Sequence, residues 1–351
     1  MRPVAGAATS TIGPDAYERS GRTPQLRLTL PPATSPRPFP LVVALHSLAN
    51  DGHEPQAEWG IDALAASAGV AVAYPDGLDT SWDAGTCCGQ AAADHIDDVG
   101  WLRALISDLE QHYPIDRHRV ILVGFSNGGM LAYRYACEHA AEIAGIAVVA
   151  ASLQTTDCTP AAPVGVVAVH GQLDERVPYD GTAWSDALGT PLTSVEDSLG
   201  PFRARADCPS PPQPRDSVRT DVDGLPTDDA AGGQSGTTGV GVSTRDPNDR
   251  PTAGATATRQ ATPTATPTAT PAATATPTPT PTAASASPAG SRYSATKKET
   301  SCSSDKRVVE FLLPGVAHGW PPSSGPARFN TAAVLWRLLA PMRSHRAGPN
   351  L

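Results

Sequence analysis

The chain has 351 residues, 36 of them proline, and a formal net charge of −9. That charge argues against nucleic acid or an anionic membrane as a partner, and no apolar run reaches the roughly 18 residues a membrane-spanning helix needs. Length alone suggests two domains. Residues 220–296, however, are nearly free of large apolar side chains and cannot offset the entropy of ordering, so they are expected to be disordered.

In chain order, residues 25–30 alternate apolar and polar and read as an edge strand, and residues 40–45 are continuously apolar, as in a strand buried on both faces of a parallel sheet. A helix follows over 59–67, then a buried strand over 70–74 closed by a Pro75, Asp76, Gly77 turn. Residues 97–113 read as a long helix capped by Asp97 or Asp98, with Val99, Leu102, Leu105, Ile106 and Leu109 as its apolar stripe. Strands are expected at 120–123, 143–150, 164–169 and 308–313, with helices at 128–138 and 331–339. Strands alternating with helices predict an α/β fold, a mainly parallel central sheet covered on both faces by helices. The expected organisation is a flexible tail over 1–22, one domain from 23–208 and 302–341, a disordered Thr/Pro/Ala-rich insertion over 209–301, and a flexible tail over 342–351. The Thr-Pro tract at 262–282 favours an extended, polyproline-II-like chain open to O-glycosylation.

Gly124, Ser126 and Gly128 form a G-x-S-x-G motif between a predicted strand and a predicted helix. That context is the sharp turn that lifts a nucleophilic serine above an α/β-hydrolase sheet, with the flanking glycines making room for strained backbone. In that fold the acid and then the histidine follow the serine. His318 lies in a loop after the last strand, whereas His345 lies in a tail without a packing pattern. Asp174 follows the strand at 164–169 and is the expected acid, with Glu175 and Asp180 as neighbouring alternatives. The oxyanion hole is expected from two backbone amides, Asn127 after the nucleophile and Leu48 in the loop after residue 45, with Ser47 as the alternative to Leu48. Trp82, Trp184 and Trp320 lie in loops beside these segments. Trp82 and Trp320 are the candidates for the substrate pocket, where indoles stack on sugar or aromatic groups; the alternative reading makes them pocket walls or core.

Six cysteines, an even count without C-x-x-C spacing, fit disulfides and an oxidising compartment. Residues 1–11 lack a signal-peptide pattern, but the Thr-Pro tract has the composition of extracellular linkers, so a secreted protein is expected. Adjacent Cys87 and Cys88 are expected to take different partners, with Cys137 and Cys158 as the candidates, which leaves Cys208 to pair with Cys302.

At these residues the chain resembles the secreted polyhydroxybutyrate-depolymerase-like esterases, the family that also contains feruloyl and acetylxylan esterases. The matching segments are PLVVALH at 40–46, YPDG at 74–77, SWDAGTCCG at 81–89, DDVG at 97–100, GFSNGGMLAY at 124–133, HGQLD at 170–174, VPYDG at 177–181 and HGWP at 318–321. The resemblance implies an α/β-hydrolase fold and hydrolysis of polyester or plant-polysaccharide esters through an acyl-enzyme, with no metal and no cofactor. Two departures stand out: the family usually has His-Gly where this chain has His46 and Ser47, and the region between Cys208 and Cys302 is greatly expanded. Two other readings of the same residues are a prolyl-oligopeptidase-like serine peptidase, which would carry a propeller domain or an acidic amine-binding motif, and a non-catalytic secreted binding protein on a hydrolase scaffold.

Overall fold

Seven consecutive buried residues form β3 (Phe39–Leu45), and their side chains alternate between two cores. Leu41, Val43 and Leu45 point into one, Val42 and Ala44 into the other. This is the period-two alternation of a strand covered on both faces. The computed structural model describes residues 8–10, 26–208, 217–221, 223, 295–300, 302, 305–322, 324 and 328–346. These residues fall in a compact unit made of Met1–Ala231 and Arg292–Leu351; a second unit, Gly232–Ser291, lies outside the described residues.

The parallel centre of the sheet consists of β4 (Ala71–Pro75), β3, β5 (Ile115–Phe125), β6 (Gly145–Val149), β7 (Gly165–Gly171) and β12 (Val308–Leu313), side by side in that order. Antiparallel strands extend both ends, β2 (Leu26–Thr29) and β1 (Ala8–Ser10) beyond β4, and β11 (Ala295–Thr300) and β10 (Ser217–Thr220) beyond β12. One face packs on α4 (Asp98–His112), α5 (Asn127–His139) and α6 (Val195–Arg205). The other packs on α2 (Asp62–Ala68) and α7 (Thr331–Leu339), while α3 (Gly89–Ala93) is a short helix before α4, and β8 (Thr182–Ser185) and β9 (Thr190–Leu192) form a separate two-stranded sheet. Asp97 caps α4 by accepting from the Gly100 amide, and the expected apolar stripe of that helix is buried. Among the described residues no helix is long and apolar enough to cross a membrane.

Several expectations need correction. The helix expected over 59–67 is two short helices, α1 (His53–Glu58) and α2, separated where Gly60 takes a left-handed φ of 71°. The strand at 25–30 is not at the edge, because β1 pairs outside it. The insertion expected over 209–301 lies outside the described residues except for residues 221 and 223 and where β10 and β11 pair in register and continue the sheet, so the ordered fold reaches further in from both flanks. The tails expected at 1–22 and 342–351 are likewise outside the described residues apart from β1 and residues 342–346. There Met342 is buried and the Ser344 amide donates to the His118 carbonyl at 2.8 Å.

Cys208 pairs with Cys302 and Cys137 with Cys158. The expectation that Cys87 and Cys88 take different partners fails. Their peptide is cis, their Cα atoms stand 3.1 Å apart, and they bond to each other.

Candidate active site

Ser126 sits between the end of β5 and the start of α5 with φ 52° and ψ −119°, a conformation that costs a non-glycine residue of order 1–3 kcal/mol. The flanking sequence holds it there. A Cβ on Gly124 would lie 2.3 Å from the Gly128 carbonyl oxygen, and one on Gly128 would lie 2.1 Å from the Leu45 oxygen. Glycines therefore let strand, turn and helix close on one another. The Ser126 amide donates to the Val149 carbonyl at 2.9 Å, which fixes the turn to β6. The first amides of α5 point their N–H groups toward the serine.

His318, in the loop after β12, and Asp174, in the loop after β7, complete a hydrogen-bonded series. His318 Nε2 lies 3.1 Å from Ser126 Oγ, and His318 Nδ1 lies 2.9 Å from Asp174 Oδ2. A carboxylate only accepts, so Nδ1 carries the proton and Nε2 is free to accept from the hydroxyl. Asp174 is 5% exposed, and its Oδ1 accepts from the Arg176 amide at 3.0 Å and the Val177 amide at 2.8 Å. Glu175 and Asp180, the alternatives, are both exposed and have no contact of this kind with His318. Phe125 packs against the His318 ring with centroids 5.1 Å apart.

Beneath Asp174 lies His170. Its Nε2 donates to the Val177 carbonyl at 2.7 Å and lies 3.5 Å from Asp174 Oδ2. Burial pulls this imidazole below the ordinary histidine value, so it stays neutral beside the acid.

The loop after β3 meets the start of α5. Ser47 cannot serve as the oxyanion donor, because its amide is already given to Glu54 Oε2 at 2.7 Å. The Leu48 amide donates to none of the described backbone or side-chain acceptors, and neither does that of Asn127. His46 braces this loop: its Nε2 accepts from the Gly77 amide at 2.7 Å, so Nδ1 bears the proton and donates to the Ser47 carbonyl at 2.8 Å. Burial lowers its pKa as well, while burial pushes the Glu54 carboxyl up against the opposing pull of its two Ser47 hydrogen bonds.

Trp82 does not line a pocket. It is fully buried, its indole N–H donates to the His46 carbonyl at 3.0 Å, and its backbone exchanges two hydrogen bonds with the Asn127 amide side chain at 2.8 and 2.9 Å. It is a strut between the loop after β3 and the start of α5. Trp320 stacks on Trp59 with centroids 4.2 Å apart and lines a groove of about 710 Å³ together with Gly60, Leu64, Pro321 and Asn330. Trp184 is 59% exposed. Glu54, Trp59 and the Asn127 side chain were not singled out from the sequence. Only tertiary contacts give them a role, and no local pattern marks them.

Sheet, strained serine turn and serine–histidine–aspartate series are together those of an α/β hydrolase. Residues 90–198 match the Phospholipase/Carboxylesterase family. It is 34% identical over 199 residues to NocK of Nocardia uniformis subsp. tsuyamanensis, whose name assigns it to the esterases, covering 56% of this chain and 57% of that one. It is 29% identical over 173 residues to the bifunctional acetylxylan esterase/xylanase XynS20E of Neocallimastix patriciarum, covering 49% of this chain and 22% of that one. It is 28% identical over 161 residues to feruloyl esterase C of Emericella nidulans, covering 44% of this chain and 56% of that one. The chain thus spans less than two thirds of the length of each of these relatives. The acetyl xylan esterase of Aspergillus awamori shares the fold with a TM-score of 0.51 at 11% identity, covering 90% of this chain and 94% of that one.

Proposed function

We propose that this protein is a secreted serine esterase that hydrolyses carboxylic esters of plant polysaccharides, acetyl or feruloyl, through an acyl-enzyme on Ser126. The observation that carries the reading is the unbroken series Ser126 Oγ, His318, Asp174 at hydrogen-bonding distances, with the serine aimed from a strained turn at a helix start. His318 Nε2 takes the serine proton as Oγ attacks the ester carbonyl. Asp174 stabilises the imidazolium that results. The Leu48 and Asn127 amides bind the oxyanion, and His318 then protonates the leaving alcohol and activates water for deacylation. Names of the similar proteins favour acetylated and feruloylated polysaccharide over hydroxybutyrate polyester as substrate. Three disulfides support an extracellular setting.

The test is a panel of acetylated xylan, methyl ferulate and 3-hydroxybutyrate oligomers offered to the purified protein. Turnover of the first or second at the highest kcat/KM is expected. Preference for the hydroxybutyrate oligomers would move the substrate to polyesters, and turnover of none would overturn the reading.

A further inference from the structure

The oxyanion loop is held by more than its strand. All three polar groups of Ser47 are engaged. Its amide donates to Glu54 Oε2 at 2.7 Å, its hydroxyl donates to Glu54 Oε1 at 2.8 Å, and its carbonyl accepts from His46 Nδ1 at 2.8 Å and from the Asn50 amide at 3.3 Å. The Asn50 side-chain amide donates both to the Ser47 hydroxyl at 2.8 Å and to Glu54 Oε1 at 3.1 Å. On the far side the Ala49 amide donates to the Thr80 carbonyl at 2.8 Å.

This matters because the Ser47 carbonyl and the Leu48 N–H belong to one planar peptide, in which they point in opposite directions. Fixing the carbonyl toward His46 therefore aims the Leu48 N–H the other way. The remaining freedom is rotation about the Ser47 backbone itself, and the two-point grip of Glu54 on the Ser47 amide and hydroxyl removes it. A carboxylate is suited to this task, since two oxygens accept two donors of one residue at once. The grip also disposes of the competing donor: with its amide on Glu54, Ser47 leaves the hole to Leu48.

Resting on the esterase reading above, we propose that Glu54 is a positioning residue of the oxyanion hole, whose bidentate hold on Ser47 sets the peptide that presents the Leu48 N–H to the transition state. The hydrogen bonds of Glu54 go to Ser47 and Asn50 and not to Ser126, His318 or Asp174; it acts through Ser47. Its loss should therefore cost transition-state binding and spare ground-state binding.

The experiment compares Glu54→Gln, Ser47→Gly and Ser126→Ala with the wild type. It reads kcat and KM on p-nitrophenyl butyrate and the inhibition constant of an aryl trifluoromethyl ketone, whose hemiketal places an oxyanion in the hole. A glutamine offers one acceptor where two are used, so Glu54→Gln should lower kcat about 10- to 100-fold with KM within about twofold, and weaken the ketone by the same factor as kcat. Ser47→Gly keeps the amide contact and loses the hydroxyl contact, so a smaller loss of about 3- to 10-fold in both readouts is expected. A role confined to loop stability would lower the melting temperature without making ketone affinity track kcat. If Glu54→Gln fails to fold, Ser47→Gly decides by the same tracking. Unchanged kcat in the folded variants, or a loss taken up by KM alone, overturns the proposal. Ser126→Ala separates the two levels. If it retains turnover, the serine esterase reading itself fails; if it is inactive while Glu54→Gln is fully active, only the role of Glu54 fails.

Discussion

The Cys208–Cys302 bridge gives a sharp stability prediction. It joins residues 94 apart in sequence with Cα atoms 4.0 Å apart, at the end of the sheet where β11 adds to β12. Removing a cross-link over a loop of that length restores chain entropy to the unfolded state worth up to about 4.7 kcal/mol at room temperature. For a domain of this size each kcal/mol moves the midpoint by about 2–4 °C, so Cys208→Ser with Cys302→Ser should lower Tm by on the order of 10–15 °C. No triad residue belongs to the bridge, so kcat at a temperature where the variant is folded should stay within about twofold. Urea unfolding followed by far-UV circular dichroism, with wild type and double variant side by side, measures the difference directly. A loss below about 1 kcal/mol would show that the bridge does not constrain the unfolded chain as reasoned, because residual structure or native strain had taken its place.

Three further outcomes follow from the same structure. Asp174→Asn should fold normally and lose about 10⁴ in kcat, because an amide cannot hold His318 in the required tautomer; a comparable loss in Glu175→Gln or Asp180→Asn but not in Asp174→Asn would reassign the acid. We propose that residues 232–291 are dispensable to the fold: replacing them with a short Gly-Ser linker keeps β10 and β11, and since loop closure changes by only about 0.6 kcal/mol per doubling of length, Tm and short-ester turnover should hold. An insoluble deletion protein would contradict this. Burial pulls His46 and His170 below the ordinary 6.5, so above that pH neither state binds their protons, and below it the unfolded chain takes up two that the folded chain refuses. Stability should therefore fall with pH below that value, by up to about 2.7 kcal/mol per unit from this pair, and a flat urea midpoint between about pH 7 and pH 5 would refute it.

The parallel centre of the sheet was legible because β3, β6, β7 and the second half of β5 are apolar runs that only two-sided burial explains, and β12 breaks that pattern only at Glu310. The turn at Ser126 was legible because glycine spacing there answers a backbone requirement. What the sequence hid has physical causes. The edge strand β11, with Lys297, Lys298 and Glu299, pairs through its backbone and needs no apolar pattern. Helix α6 contains Gly200 and Pro201, which suppress any propensity signal; its Ser194 cap accepting from the Asp197 amide was the available clue. Trp82 read as a pocket wall because an indole in a loop gives no sign of whether its N–H meets solvent or a carbonyl. Glu54 was silent because its role depends on Ser47, seven residues earlier in the chain, folding back onto it.

The central claim is that Ser126 carries the acyl group, and trapping that intermediate tests it most directly. Rapid mixing with p-nitrophenyl acetate, acid quench and peptide mapping by mass spectrometry should find one acetyl group, on Ser126, with a stoichiometric burst of nitrophenol that vanishes in Ser126→Ala. Acetyl on another residue, or a burst that survives in Ser126→Ala, would contradict the account.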